Sequence, residues 1–119
     1  MRMGCSAMNN ENLENGFLDL AGYRIAYTRQ GHGSAIALVH GIPTSRHLWR
    51  NVMPLLAASG HEVLAIDLLG YGDSDKPSDT DLGIHAQSEI IFQALSALGW
   101  KRATIVGHDI GGGIAQLVA

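Results

Sequence analysis

The sequence predicts an α/β fold, a mostly parallel, doubly wound sheet with helices on both faces, and three observations point to it. Ala35 to Val39, Val63 to Ile66 and Ala103 to Val106 are short, nearly unbroken apolar runs, the pattern of strands buried on both faces. Two stretches of helical periodicity lie between them. Strands alternating with helices imply right-handed crossovers, which place helices on either side of one sheet. The third observation is that a polar or glycine-rich segment follows each run. In an open α/β sheet, ligands bind beyond the carboxyl ends of the strands.

The elements follow in order. Residues 1–16, with Asn9, Asn10, Asn12 and Asn15 among small and acidic residues, carry no periodicity and read as a flexible lead-in. The domain is expected over 17–119. Phe17 to Leu20 and Tyr23 to Thr28 are β-prone and separated by Ala21-Gly22, a hairpin pairing antiparallel at one sheet edge. The first helical pattern sets Leu48, Trp49, Val52, Met53, Leu55 and Leu56 on one face, with Pro54 marking a kink or a late start. The second runs from about Leu82 to Leu98, with Ile84, Ile91, Leu95 and Leu98 on one stripe and Gly99 as its stop. Ile114 to Ala119 open a further apolar helix with no capping residue or polar exit, so the chain reads as the N-terminal half of a longer, truncated domain.

Composition narrows the function. With 46% hydrophobic and 16% charged residues, the chain can bury a core. A formal net charge of -3 without blocks of like charge points away from nucleic acid and anionic membranes and toward a small-molecule substrate. One cysteine, Cys5, excludes an internal disulfide framework. No apolar stretch reaches the roughly 18 residues of a membrane span, and residues 1–16 lack a secretory apolar run, so the cytoplasm is the expected location. The six histidines do not fall at zinc-ligand spacing, and no phosphate-binding glycine fingerprint is present. Neither a metal nor a cofactor is expected, and the composition is silent on oligomeric state.

The chemistry is expected in three segments: His40-Gly41-Ile42-Pro43, Asp67 to Asp75, and Gly107-His108-Asp109-Ile110-Gly111-Gly112. The last has the G-x-nucleophile-x-G spacing of a strand turning sharply into a helix, with Asp109 at the apex. Gly107 and Gly111 relieve crowding against neighbouring backbone, and Asp109 is pushed to a helix N-terminus that favours its ionised form. The plain alternative is that Asp109 only caps the helix starting at Ile110. Flanking glycines directly after a buried strand, with a second motif on a neighbouring strand, favour a nucleophile. His108 reads as a packed or hydrogen-bonded neighbour rather than a base. The backbone N–H groups of Ile42 and Ile110 would form an oxyanion hole for charge on the Asp109 carboxyl when its ester is hydrolysed. Gly70 to Ser74 reads as a structural bend with solvated acids.

Leu38 to Pro43, Thr44-Ser45 with Leu48-Trp49-Arg50, Asp67 to Pro77 and Val106 to Gly112 together resemble the α/β-hydrolase superfamily, nearest the haloalkane dehalogenase and epoxide hydrolase group. The resemblance covers about residues 17–119. It implies that Asp109 is the nucleophile, that Ile42 and Ile110 supply oxyanion N–H groups, and that the base and its acid partner lie downstream with the cap domain. A carboxylate nucleophile suits displacement at an alkyl carbon, opening an epoxide or expelling a halide to leave an alkyl ester. Two positions depart from the pattern. Haloalkane dehalogenases typically carry a halide-binding Trp after the nucleophile and often Asn in the third position of the H-G-x-P segment, where this chain has Ile110 and Ile42. Epoxide hydrolases usually carry that Trp too.

Two functions follow from the sequence. One is a hydrolase forming an alkyl-enzyme ester with epoxides or haloalkanes, and the other is a non-catalytic small-molecule binding protein of the same fold. The 119 residues alone are expected to be inactive, because none of their histidines is placed to activate water.

Overall fold

The computed structural model describes residues 13–119. Cys5 and most of the expected lead-in lie outside the described residues. Strands β1 (Glu14–Leu20) and β2 (Tyr23–Gln30) form the expected hairpin, closing through Ala21 and Gly22, both at positive φ. The first strand begins three residues earlier than Phe17. Glu14 and Asn15 have partners across the hairpin: Tyr27 Oη donates to Glu14 Oε2 at 2.8 Å and Thr28 Oγ1 to Asn15 Oδ1 at 2.5 Å.

β3 (Ser34–Val39), β4 (His61–Ile66) and β5 (Thr104–Gly107) complete a five-stranded sheet in the order β1-β2-β4-β3-β5. β4, β3 and β5 run parallel, while β1 with β2 and β2 with β4 are antiparallel, so the sheet is mixed. Its pleat sorts the core into two layers. Ala37, Val39, Leu64 and Ile66 face a cluster with Ile90, Ile91, Ala94, Leu95 and Ile114; Ile36, Leu38, Val63 and Ala65 face the opposite way, against Met53, Trp49 and Leu56. Helices therefore cover both faces. β5 is less buried than expected, with Val106 37% exposed, because among the described residues it pairs only with β3.

The first helical pattern divides. Arg46–Trp49 is a 3₁₀ turn, and helix α1 (Met53–Ala58) begins anew with Pro54 in its first turn, where no N–H is needed. The break shifts the phase: Met53 is buried, but Val52 and Leu55 are 40% and 70% exposed rather than sharing its face. Helix α2 (Ile84–Ala97) ends at Gly99, whose φ of 74° fits a glycine stop. Its buried stripe is Gln87, Ile90, Ile91, Ala94 and Leu95, while Ile84 is 40% exposed and Leu98 half-buried. Helix α3 (Ile110–Val118) follows β5 after two residues. Among the described residues no helix is long and apolar enough to cross a membrane.

Candidate active site

The carboxyl ends of β3, β4 and β5 lie side by side in the sheet, which brings the three expected segments together. Between β5 and α3 the chain turns through His108 and Asp109, and Asp109 takes φ 61° and ψ -124°, an uncommon backbone state for a residue with a Cβ. The turn is closed by Gly111 N–H donating to His108 O and Gly112 N–H to Asp109 O, both at 2.9 Å. A Cβ on Gly107 would lie 2.6 Å from Gly112 N, and one on Gly111 would lie 2.7 Å from His40 O. Both glycines are there because backbone passes where a side chain would start.

Asp109 stands at the N-cap position of α3, yet its side chain makes no capping bond. Instead Oδ2 accepts the backbone N–H of Ile42 at 3.3 Å. A capping aspartate would turn its oxygen inward onto its own helix, which this one does not do. The carboxylate is exposed, and Ile110 beside it is half-buried. His108 donates its backbone N–H to Val39 O at 3.1 Å, but its side chain is exposed rather than packed.

The facing loop leaves β3 through His40, Gly41, Ile42 and Pro43. A Cβ on Gly41 would lie 2.6 Å from both Asp109 Cβ and His108 O, so glycine lets the loop rest against the elbow. Gly41 O accepts Thr44 N–H at 3.1 Å and Thr44 Oγ1 at 2.8 Å, folding the loop back on itself. His40 is fully buried. Leu68 N–H can only donate, so His40 Nε2 accepts it at 3.0 Å and Nδ1 carries the proton that goes to Gly41 O at 2.9 Å. Burial pushes the His40 pKa down, against smaller upward pulls from Gly41 O and Asp67. His40 is thus a neutral brace beneath the loop.

Beyond β4, Asp67 is fully buried. Its oxygens accept Arg46 N–H at 2.6 Å, Asp73 N–H at 2.8 Å and the Arg46 guanidinium. A cavity of about 810 Å³ opens over this pair, lined by Thr28, Gln30, Arg50 and Met53 among others; Asp109 is not part of its wall. Among the described residues no group of three or more His, Cys, Asp or Glu is placed to hold a metal ion.

Residues 35–119 match the family model of the alpha/beta hydrolase fold. The chain belongs to that family. Within the α/β-hydrolase fold it is 40% identical over 94 residues to a soluble epoxide hydrolase of Corynebacterium sp., covering 79% of this chain and 32% of that protein. It is also 40% identical over 106 residues to a haloalkane dehalogenase of Sphingobium indicum, covering 82% and 34%. An epoxide hydrolase structure from an endophytic Streptomyces superposes with a TM-score of 0.85 at 41% identity, over 91% of this chain and 33% of that one. The chain spans about a third of the length of these relatives.

The structure brings Asp109, Gly107 and Gly111 together with His40, Gly41 and Ile42, while the cis Ile42-Pro43 bond carries the loop onward. Sequence reasoning missed Arg46 as the partner of Asp67, and Gln87, whose amide donates to Leu69 O at 2.8 Å and accepts Leu69 N–H at 3.0 Å. Gln87 left a signal. It sits three residues after Ile84 and four before Ile91, a polar residue on the apolar side of a helix. Of the expected solvated acids, Asp73 is exposed as anticipated.

Proposed function

We propose that the protein carrying this chain is a hydrolase in which Asp109 attacks an alkyl electrophile and forms an ester, with an epoxide favoured over an alkyl halide. The single observation that carries this is the exposed Asp109 carboxylate at a φ 61° turn, uncapped and facing the Ile42 N–H. In the first step an Asp109 oxygen bonds to the epoxide carbon, the carbon–oxygen bond of the ring breaks, and the ring oxygen takes a proton from an acid. In the second, a water oxygen adds to the Asp109 carboxyl carbon after losing a proton to a general base. The tetrahedral oxyanion collapses, the departing alkoxide takes the proton held by the base and leaves as the diol, and the carboxyl proton returns to the acid, restoring the Asp109 carboxylate. The N–H groups of Ile42 and Ile110 are assigned to that oxyanion. The acid and base are assigned to parts of the relatives' length that this chain does not span. Epoxide is favoured because Ile110 and Ile42 flank Asp109 with apolar side chains that offer no N–H to a departing halide.

A single turnover of the full-length protein with an epoxide in ¹⁸O-water tests the reading. Label should enter the Asp109 carboxylate, and the Asp109→Ala variant should lose turnover. Turnover with unlabelled Asp109 would overturn the ester route. A folded protein that binds epoxides without turning them over would favour the binding-protein alternative.

A further inference from the structure

The loop that carries Ile42 is held from two sides, and only one of them is the elbow. On the β5 side, Ile42 N–H meets Asp109 and Gly41 rests against it. On the β4 side, four residues after Ile42, the chain is tied to Asp67 twice, through the Arg46 backbone N–H and through its guanidinium. Asp67 is in turn fixed by three further bonds to two other segments, β2 and the loop after β4. Its N–H donates to Ala26 O at 2.9 Å in β2, its carboxylate accepts Asp73 N–H at 2.8 Å, and its carbonyl accepts Ser74 Oγ at 2.7 Å. A Cβ on Gly72, at φ 54°, would lie 2.6 Å from Asp67 Oδ1, so glycine is what lets the loop close over the carboxylate. Arg46 Nε donates to Thr28 Oγ1 at 2.8 Å, and its guanidinium also reaches Asp73 Oδ2 at 3.3 Å. A carboxylate with no exposure is costly to desolvate and is tolerated only when its oxygens are bonded this fully.

We propose that Asp67 and Arg46 are positioning residues that set where the Ile42 N–H stands relative to Asp109, and so govern hydrolysis of the ester rather than its formation. This rests on the ester reading of Asp109. Forming the ester needs the Asp109 oxygen and the alkyl carbon; breaking it builds charge on the carboxyl oxygen that Ile42 faces. Loss of one oxyanion donor slows a reaction by about 10²- to 10³-fold, and displacing one should cost part of that.

The test uses Asp67→Asn and Arg46→Gln in the full-length protein, with an epoxide as probe. Ester hydrolysis should slow by about 10- to 100-fold, so that intact-mass spectra during turnover show accumulating alkyl-enzyme. Adduct formation should stay near the unmodified rate. Amide exchange should quicken across residues 41–46 and stay unchanged across residues 107–112. If both chemical steps fall together in proportion to the folded fraction, or if folded variants keep normal hydrolysis and exchange, the proposal is overturned. Should Asp67→Asn fail to fold, Arg46→Gln decides, since it keeps the backbone bond to Asp67. If the unmodified protein forms no adduct at all, the ester reading fails by itself, and amide exchange still tells whether the pair positions the loop.

Discussion

Two aspartates stand after the parallel strands on either side of β3, and the molecule treats them in opposite ways. Asp67 follows β4 with no exposure, and its side chain accepts from Arg46 and Asp73. Asp109 follows β5, exposed, with one 3.3 Å bond from Ile42 N–H. A buried carboxylate with both oxygens engaged is not free to attack a substrate. One held at a strained turn with its lone pairs open is. Burial and bonding therefore distinguish the structural acid from the candidate nucleophile more sharply than residue type does.

Exchanging each for alanine breaks the comparison most severely. Asp67→Ala should cost about 3–5 kcal/mol, because it takes from the little-exposed Arg46 guanidinium its buried partner and leaves it only Thr28 and the exposed Asp73. Urea unfolding of the full-length protein measures it. Asp109→Ala should leave stability nearly unchanged and lower turnover by about 10³-fold or more, as removal of a nucleophile does. Asp109→Gly should go further and stabilise the fold by about 1 kcal/mol, since glycine accepts φ 61° without strain. A large loss of stability in either Asp109 variant would show that the residue is structural after all.

The elbow itself should be the next most sensitive part. Gly111→Ala places a methyl against the carbonyls of Val39 and His40 at the end of β3, with no flexible side chain nearby to yield. Overpacking of this kind costs about 1–3 kcal/mol, and here it would also push Asp109 away from Ile42. Gly112→Ala meets nothing within 4 Å and serves as the matched control. Thermal melting and turnover should fall together in the first variant and hold in the second.

This asymmetry also explains what could be read from sequence. The elbow was legible because its pattern is compact: Gly107 and Gly111 flank Asp109 within five residues, even though the backbone that excludes a Cβ at Gly111 is that of Val39 and His40. The parallel strands were legible for the same reason, as continuous apolar runs. The Asp67 site was not, because Arg46 lies 21 residues away and nothing in either neighbourhood marks the pair. The late start of α1 was legible too, because Pro54 marks it, whereas the 3₁₀ geometry of the preceding turn was not. Leu48, Trp49, Val52, Met53, Leu55 and Leu56 fit one periodic face, and that pattern alone does not show that the break turns Val52 and Leu55 away from it.

His40, bonded to Gly41 O and to Leu68 N–H next to Asp67, predicts a pH dependence. Burial lowers its pKa, so the unfolded chain binds a proton at a higher pH than the folded one does. Its contribution to stability is complete above the ordinary histidine value of about 6.5 and is lost progressively as pH falls below it toward the depressed folded value. Protonation would cost His40 Nε2 its role as acceptor for Leu68 N–H. Unfolding free energy should therefore decline with acid, and His40→Gln should flatten the slope by up to about 1.4 kcal/mol per pH unit. An unchanged slope would place the titration elsewhere.

The smallest effect expected is at Asp73, and it tests whether Asp67 is held by charge or by backbone. The Asp73 side chain is 70% exposed and touches Arg46 only at 3.3 Å, whereas its backbone N–H donates to the buried Asp67 oxygen at 2.8 Å. An exposed ion pair of this kind is screened by water and worth well under about 1 kcal/mol. Asp73→Asn removes the charge and keeps the N–H, so stability should move by no more than about 0.5 kcal/mol and turnover by less than about twofold. The effect should also be indifferent to salt, because the pair that matters is the buried one. If Asp73→Asn proved as damaging as Asp67→Asn, Arg46 would be held by both acids together, and the contrast between buried and exposed carboxylates would have to be redrawn around the arginine.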